Sequence, residues 1–270
     1  MFKIIFLAMI LGVAAGVGAV YYQREVGELP IASADVEWES ETLGTFSEPI
    51  VIAFGPPPSG DYQMDISGNL SIAGNRMPFA MDMDGTVEGR VRPDGIDMIL
   101  GIGDLNAEFM DQRYSQQLDT TVTYRFDPDG RFLGADLSGL GGTASPLPMG
   151  QADEFRYLAA AFPPDGLRVG ERIRFSDTQT MENYPGTPQV TVSGEAIVVE
   201  RGDHQGRDAL TIDLSGEIRS TTINGTFSGT SLVDIASGFV LDAEVTVTLN
   251  LPVQNRHAVV SVDMAFATDL

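Results

Sequence analysis

The chain has 270 residues, 43% of them hydrophobic and 20% charged, so it can bury a substantial core and is not disordered as a whole. It has no cysteine, which excludes disulfides, thiolate nucleophiles, zinc–thiolate sites, iron–sulfur clusters and a lipid-modified cysteine anchor. Sixteen basic against 38 acidic residues leave a net charge of −22, with Lys3 the one lysine, and such a chain repels nucleic acid.

Met1-Phe2-Lys3 makes a minimal positive start, and residues 4–22 carry no charge before Arg24. Two readings fit. As a signal peptide the segment offers the small residues of Val17-Gly18-Ala19, with cleavage after Ala19. As a retained helix it has nearly the roughly 20 apolar residues that cross a bilayer, and Tyr21 and Tyr22 would sit at the interface. Either way residues 1–22 predict an exported body, in the periplasm or another extracytoplasmic space of a bacterium, secreted or anchored in the inner membrane by residues 4–22.

Residues 23–60 carry Glu25, Glu28, Asp35, Glu37, Glu39, Glu41 and Glu48 and end in Pro56-Pro57-Pro58-Ser59-Gly60. This composition predicts an acidic, Pro-rich tether with one short strand over residues 49–54, and a folded body that starts near Asp61.

From Asp61 to Asp136 the residues alternate with a period of two. Tyr62, Met64 and Ile66 share one face against Gln63, Asp65 and Ser67, and Phe79, Met81 and Met83 oppose Ala80, Asp82 and Asp84. Such alternation places one face on a core and the other in water. Ser67-Gly68, Ala73-Gly74-Asn75, Pro93-Asp94-Gly95 and Asp127-Pro128-Asp129-Gly130 read as turns between meander strands, and no βαβ rhythm appears.

A Gly/Pro/Ser loop over residues 138–150 leads into a helix expected over residues 151–162, where Phe155, Leu158, Ala159 and Phe162 fall at i, i+3, i+4 and i+7 before Pro163-Pro164. Strand patterns resume after Gly166 and run to Ala267, with hairpin turns at Gly202-Asp203-His204-Gln205-Gly206 and Ala236-Ser237-Gly238. The two halves, 61–140 and 166–270, look like similar meanders: Ile66-Ser67-Gly68 parallels Val192-Ser193-Gly194, and Asp127 to Leu133 parallels Asp234 to Val240. The expected fold is mainly β: a large curved antiparallel sheet or half-barrel built from two meanders, with one amphipathic helix between them and an N-terminal membrane helix or signal peptide. About ten to twelve antiparallel strands must curl or split.

No residue set dictates a reaction. His204 and His257 lie in polar, turn-like surroundings, no G-x-S-x-G elbow occurs, and the chain is read as a non-enzyme with no cofactor. Asp82-Met83-Asp84-Gly85 and Asp127-Pro128-Asp129-Gly130 open like calcium loops, but Pro93 and Ser138 stand where the twelfth-position glutamate belongs; turn chemistry explains both, and no metal site is assigned. Arg168, Arg172 and Arg174 form the one basic cluster, suited to a lipid headgroup or an acidic partner, or to pairing with neighbouring acidic strands. Met64, Met77, Met81, Met83, Met98 and Met110 crowd the first half; flexible thioethers on a concave face suit apolar ligands as well as core filling.

Phe162-Pro163-Pro164-Asp165-Gly166-Leu167-Arg168-Val169-Gly170-Glu171, followed by Ile235-Ala236-Ser237-Gly238-Phe239-Val240, resembles a group of uncharacterised bacterial exported proteins and lipoproteins that share an F-P-x-x-x-V-G-(D/E) linker. In plan, residues 61–270 also resemble the lipoprotein-carrier superfamily, whose half-barrel of antiparallel strands holds acyl chains. The resemblance implies no catalytic residues. The pairing of a long alternating sheet with a single amphipathic helix predicts a cell-envelope protein that binds an acyl chain or other apolar ligand on its concave face, through Met64, Met81, Met83, Phe155, Leu158 and Phe162. The alternative is a structural or assembly module that contacts another envelope protein by a sheet edge or through Arg168, Arg172 and Arg174.

Overall fold

The computed structural model describes residues 37–41, 48–72, 74–109, 112–128, 132–136, 166–180, 189–220, 224–253 and 256–270. The expected helix over residues 151–162, with Phe155, Leu158 and Phe162, and the apolar run over residues 4–22 lie outside them. No helix occurs among the described residues.

The first meander consists of β2 (Gly60–Ile72), β3 (Asn75–Arg92), β4 (Gly95–Phe109), β5 (Gln112–Phe126) and β6 (Phe132–Asp136). The second consists of β7 (Arg172–Thr180), β8 (Gln189–His204), β9 (Arg207–Ser220), β10 (Asn224–Asp234), β11 (Val240–Val253) and β12 (Arg256–Asp269), and β1 (Glu37–Glu41) precedes both. All twelve join in one antiparallel sheet of order β1-β7-β8-β9-β10-β11-β12-β2-β3-β4-β5-β6. The meanders therefore fuse where the chain's last strand, β12, pairs with β2, as Met264 opposite Ile66 and Val260 opposite Leu70. β1 and β6 are the two edges, and the sheet does not close into a barrel.

Alternation decides the two faces. On one face Val192, Ile212, Val247, Val262, Ile66, Met83 and Tyr124 are buried. The other face is wet: the Thr230 hydroxyl donates to Asp213 at 2.8 Å, Thr246 to Asp263 at 2.7 Å, and Asn106 Nδ2 to Asp82 at 2.7 Å. These carboxylates lie on the outer face, where water screens them.

Ser-Gly dipeptides that read as turns or repeats lie in mid-strand. Gly68 is opposite Phe79, Gly194 opposite Phe175 and Gly216 opposite Phe227. A Cβ on Gly216 would stand 2.5 Å from the Phe227 ring and 2.3 Å from the Ser193 carbonyl oxygen, so only glycine lets the ring lie down on the neighbouring strand. Gly194 and Gly216 are themselves cross-strand partners, and the Phe175 and Phe227 rings stack above them with centroids 6.2 Å apart. Asp82-Met83-Asp84-Gly85 is likewise not a turn; it lies within β3 at a register shift, and Asp84 accepts the Asp104 N–H at 2.7 Å. The second-half hairpin turn is tighter than expected, with β8 running to His204 and Gln205 and Gly206 at φ of 53° and 81°.

Of the stretch read as a tether over residues 23–60, the described residues 37–41 and 48–60 pack on the body. Glu37–Glu41 pairs with β7, and residues 50–58 form a strap without a strand ladder of its own. Ile50 exchanges two backbone bonds with Leu167 at 2.7 and 2.9 Å, the Ala53 N–H donates to the Ile235 carbonyl at 2.9 Å, and the Gly55 N–H donates to Ser237 at 3.3 Å. Phe54 then meets Phe126 of β5 with ring centroids 5.6 Å apart. Ala53 is held at Ile235, beside the end of β10, and Phe54 follows it about 4 Å on, whereas β10 and β5 stand six strand spacings apart in the sheet, about 29 Å if it were flat. Side-chain reach covers only part of the difference, so the sheet curls until its two wings face each other across the strap.

Candidate functional site

The concave face carries two cores. The first runs from Ile173 and Phe175 through Ile212, Val247 and Val262 to Ile66 and Leu70. The second gathers Tyr62, Met83, Val87, Met98, Ile102, Leu105, Val122, Tyr124 and Phe126. Met64 and Met81 pack against both, so the seam between the cores is lined by thioethers.

Register places these side chains together. Met64 opposes Met83, Ile66 opposes Met81 and Leu70 opposes Met77 across β2 and β3. Met83 is buried, while Met64, Met77, Phe79 and Met81 are half-buried. The same gradient runs along the next two strands. On β4, Met98, Ile102 and Leu105 are buried but Ala107 and Phe109 are half-buried. On β5, Val122 and Tyr124 are fully enclosed, whereas Tyr114, in register with Ala107, is 61% exposed. The apolar face is thus sealed at the strapped end and accessible toward the β2–β3 and β4–β5 hairpins.

Below the seam the lining becomes aromatic. Tyr62 stacks on Phe266 at 5.9 Å, and Phe266 meets Phe239 edge-on at 6.4 Å. Burial, with the Asp84 carboxylate as a second cause, pushes the Tyr62 phenol up to about 12. The phenol therefore stays protonated at physiological pH. On the outer face, burial raises the Asp242 carboxyl and nearby Glu244 adds to this, while His204 acts in the opposite direction. Among the described residues no cluster of three or more His, Cys, Asp or Glu side chains is placed to hold a metal ion.

The arginine cluster sits elsewhere. Ile173 and Phe175 are buried in the first core, so Arg172 and Arg174 point outward at the β1–β7 edge. Arg172 pairs with Glu195 at 3.5 Å, and Arg174 stands in register between Glu195 and Glu39, with Glu41 opposite Arg172. Arg168 lies apart in the preceding loop, where its backbone N–H donates to the Glu171 carboxylate at 2.8 Å. The structure therefore groups Met64, Met81 and Met83 on the concave face and sets Arg172 and Arg174 on the opposite one, against acidic strand neighbours, with Arg168 apart from both. Phe109 and Tyr114, absent from the sequence reading, extend the apolar face; the alternation of Leu105, Ala107 and Phe109 was the available signal.

The β10–β11 turn that holds the strap is itself fixed. Arg207 makes a two-pronged pair with buried Asp234 at 2.9 and 2.8 Å, the Ser237 hydroxyl donates to the same carboxylate, and Gly238 N–H closes onto the Asp234 carbonyl at 2.8 Å. Among the described residues no helix is long and apolar enough to cross a membrane.

No protein-family model matches the chain, and no curated protein matches it. Among solved structures, lipovitellin, studied for its lipid–protein interactions, is similar at 10% identity and a TM-score of 0.47 over 80% of this chain. The chain spans only 25% of the length of that lipovitellin chain. The hypothetical lipoprotein YmcC from Escherichia coli is similar at 16% identity and a TM-score of 0.25, over 76% of this chain and 87% of that one. A putative exported protein with a YmcC-like fold from Bacteroides fragilis is similar at 12% identity and a TM-score of 0.24, over 78% and 97%.

Proposed function

We propose that this is a non-enzymatic, exported cell-envelope protein that holds an acyl chain or another apolar ligand against the concave face of its sheet. Met64, Met77, Phe79 and Met81 line the seat and Met83 backs it. The observation that carries the reading is the half-buried methionine and phenylalanine stripe that continues both cores out to the hairpin end. A soluble chain gains by covering such a stripe, at about 0.8 kcal/mol for each methylene removed from water. Methionine suits the task because its unbranched, polarisable side chain re-forms around chains of different shape. The polar convex face stays in water, so the ligand side and the solvent side are separated by the sheet itself. Export follows the charge-free run of residues 4–22, cleaved or retained as an inner-membrane anchor.

The competing role, an assembly module that engages a partner through Arg168, Arg172 and Arg174, is disfavoured because the register gives Arg172 and Arg174 acidic neighbours within the chain. The test is to purify the body from bacterial membranes in mild detergent and identify the extracted lipids by mass spectrometry. A reproducible acyl lipid in near-stoichiometric amount is expected. A protein that is empty in every preparation, and takes up no fatty acid on titration, contradicts the reading.

A further inference from the structure

The two cores meet at Met64 and Met81, and on the concave side residues 50–54 also touch both. Ile50 is buried in the first core and Ile52 packs against it, while Phe54, two residues on, packs against the second. The strap then crosses β3 at Gly89, where a Cβ would stand 2.7 Å from the Pro56 side chain and 2.4 Å from the Pro57 carbonyl oxygen. The missing side chain of Gly89 is the notch in which Pro56-Pro57 lies. The sheet edges β1 and β6 are not hydrogen-bonded to each other, so no ladder holds the wings at a set distance.

We propose that residues 50–58 are a tie between the two wings, with Phe54 as the positioning residue that sets how far the wing β3–β6 stands from β7–β12 across the thioether seam of Met64 and Met81. The inference rests on reading that seam as the ligand seat. With the strap docked, the wing β3–β6 is drawn toward β7–β12 and the strapped end is shut. With Phe54 out, the wing β3–β6 swings away from β7–β12 and the concave face over Met64 and Met81 opens, while the β2–β3 ladder stays intact. Among the described residues the strap's backbone is bonded at three positions, Ile50, Ala53 and Gly55; Ile50 and Pro57 are buried at its ends, while Val51 and Ala53 between them face water, so the middle is suited to come away.

The chain has no cysteine, so Leu133→Cys on β6 and Val199→Cys on β8, both exposed sites, give a unique pair of spin labels across the wings. Phe54→Ala removes the contact with Phe126, and Gly89→Val fills the notch. An aromatic contact of this kind converts to a shift of about two- to tenfold in the ratio of tied to untied molecules. The expected result is one narrow distance distribution in the parent protein, a longer and broader one in both variants, and faster release of dansyl-labelled undecanoic acid by a similar factor. If Phe54→Ala or Gly89→Val does not fold, Phe54→Leu carries the same test with the core volume nearly kept. Unchanged distances in folded variants whose Ala53 and Gly55 amides exchange faster would overturn the tie. Distances that respond in a protein that never binds the fatty acid would leave the tie standing and overturn the ligand seat.

Discussion

Tyr62 shows how a residue written for alternation acquires a measurable property from its position. Its ring lies over Gly85 and against Phe266, and burial lifts its phenol from 10.0 in the unfolded chain to about 12. Between those pH values the folded protein keeps a proton that the unfolded chain has lost, so stability is whole below pH 10 and falls as the pH rises through 12, by up to about 3 kcal/mol. Tyr62→Phe should lack this loss; denaturant melts of both proteins at about pH 9 and about pH 11 check it, and an equal alkaline decline in the two would refute it. Glycines test the same dependence on place. Gly216→Val forces atoms into the Phe227 ring and the Ser193 carbonyl and should cost about 3 kcal/mol. Gly202→Ala, with nothing within 4 Å of the added carbon, should stay within about 0.5 kcal/mol of the parent. Calorimetric melting of the pair decides whether close packing or backbone freedom accounts for the glycines.

At the scale of elements, the strands were legible because polar and apolar residues alternate in long runs, as in Tyr62 to Ile72 and Ala243 to Leu249. Ser67-Gly68 misled, since in local sequence such Ser-Gly dipeptides are turn formers. What keeps them in strands is an aromatic ring from a neighbouring strand, and Phe79 lies eleven residues from Gly68. β1 was hidden for another reason: Glu37-Trp38-Glu39-Ser40-Glu41 reads as solvated acid until Arg172 and Arg174 stand in register with it. Arg174→Glu would leave three acids side by side at Glu39, position 174 and Glu195. Reversing one favourable cross-strand pair is worth about 1 kcal/mol, so β1 amides should exchange about fivefold faster, with the difference shrinking at high salt. Unaltered protection of residues 37–41 at low salt would show that the register, and not charge, holds the strand.

At the scale of the molecule, neither the strand order nor the strap could be read from the chain alone. The pairing of β12 with β2 joins the chain's last strand to the start of the body, a contact that no local pattern encodes. The alternation of Ile50, Ile52 and Phe54 read as a short strand over residues 49–54, whereas the structure gives that segment one isolated bridge, Ile50 to Leu167, and lays it as a strap across the cores. The methionines of the seat were legible from period-two spacing, but the outer part of the face was not, because Gln112-Arg113-Tyr114-Ser115-Gln116 is nearly all polar. The account as a whole stands on the half-buried thioethers being the surface that an apolar chain covers. Its most direct test is nuclear magnetic resonance of isotope-labelled methionine methyl groups during titration with a long-chain fatty acid. The methyls of Met64, Met77 and Met81 should shift together and saturably while buried Met98 and Met264 stay nearly still; a titration that leaves all of them in place, or moves Met98 first, would contradict the account.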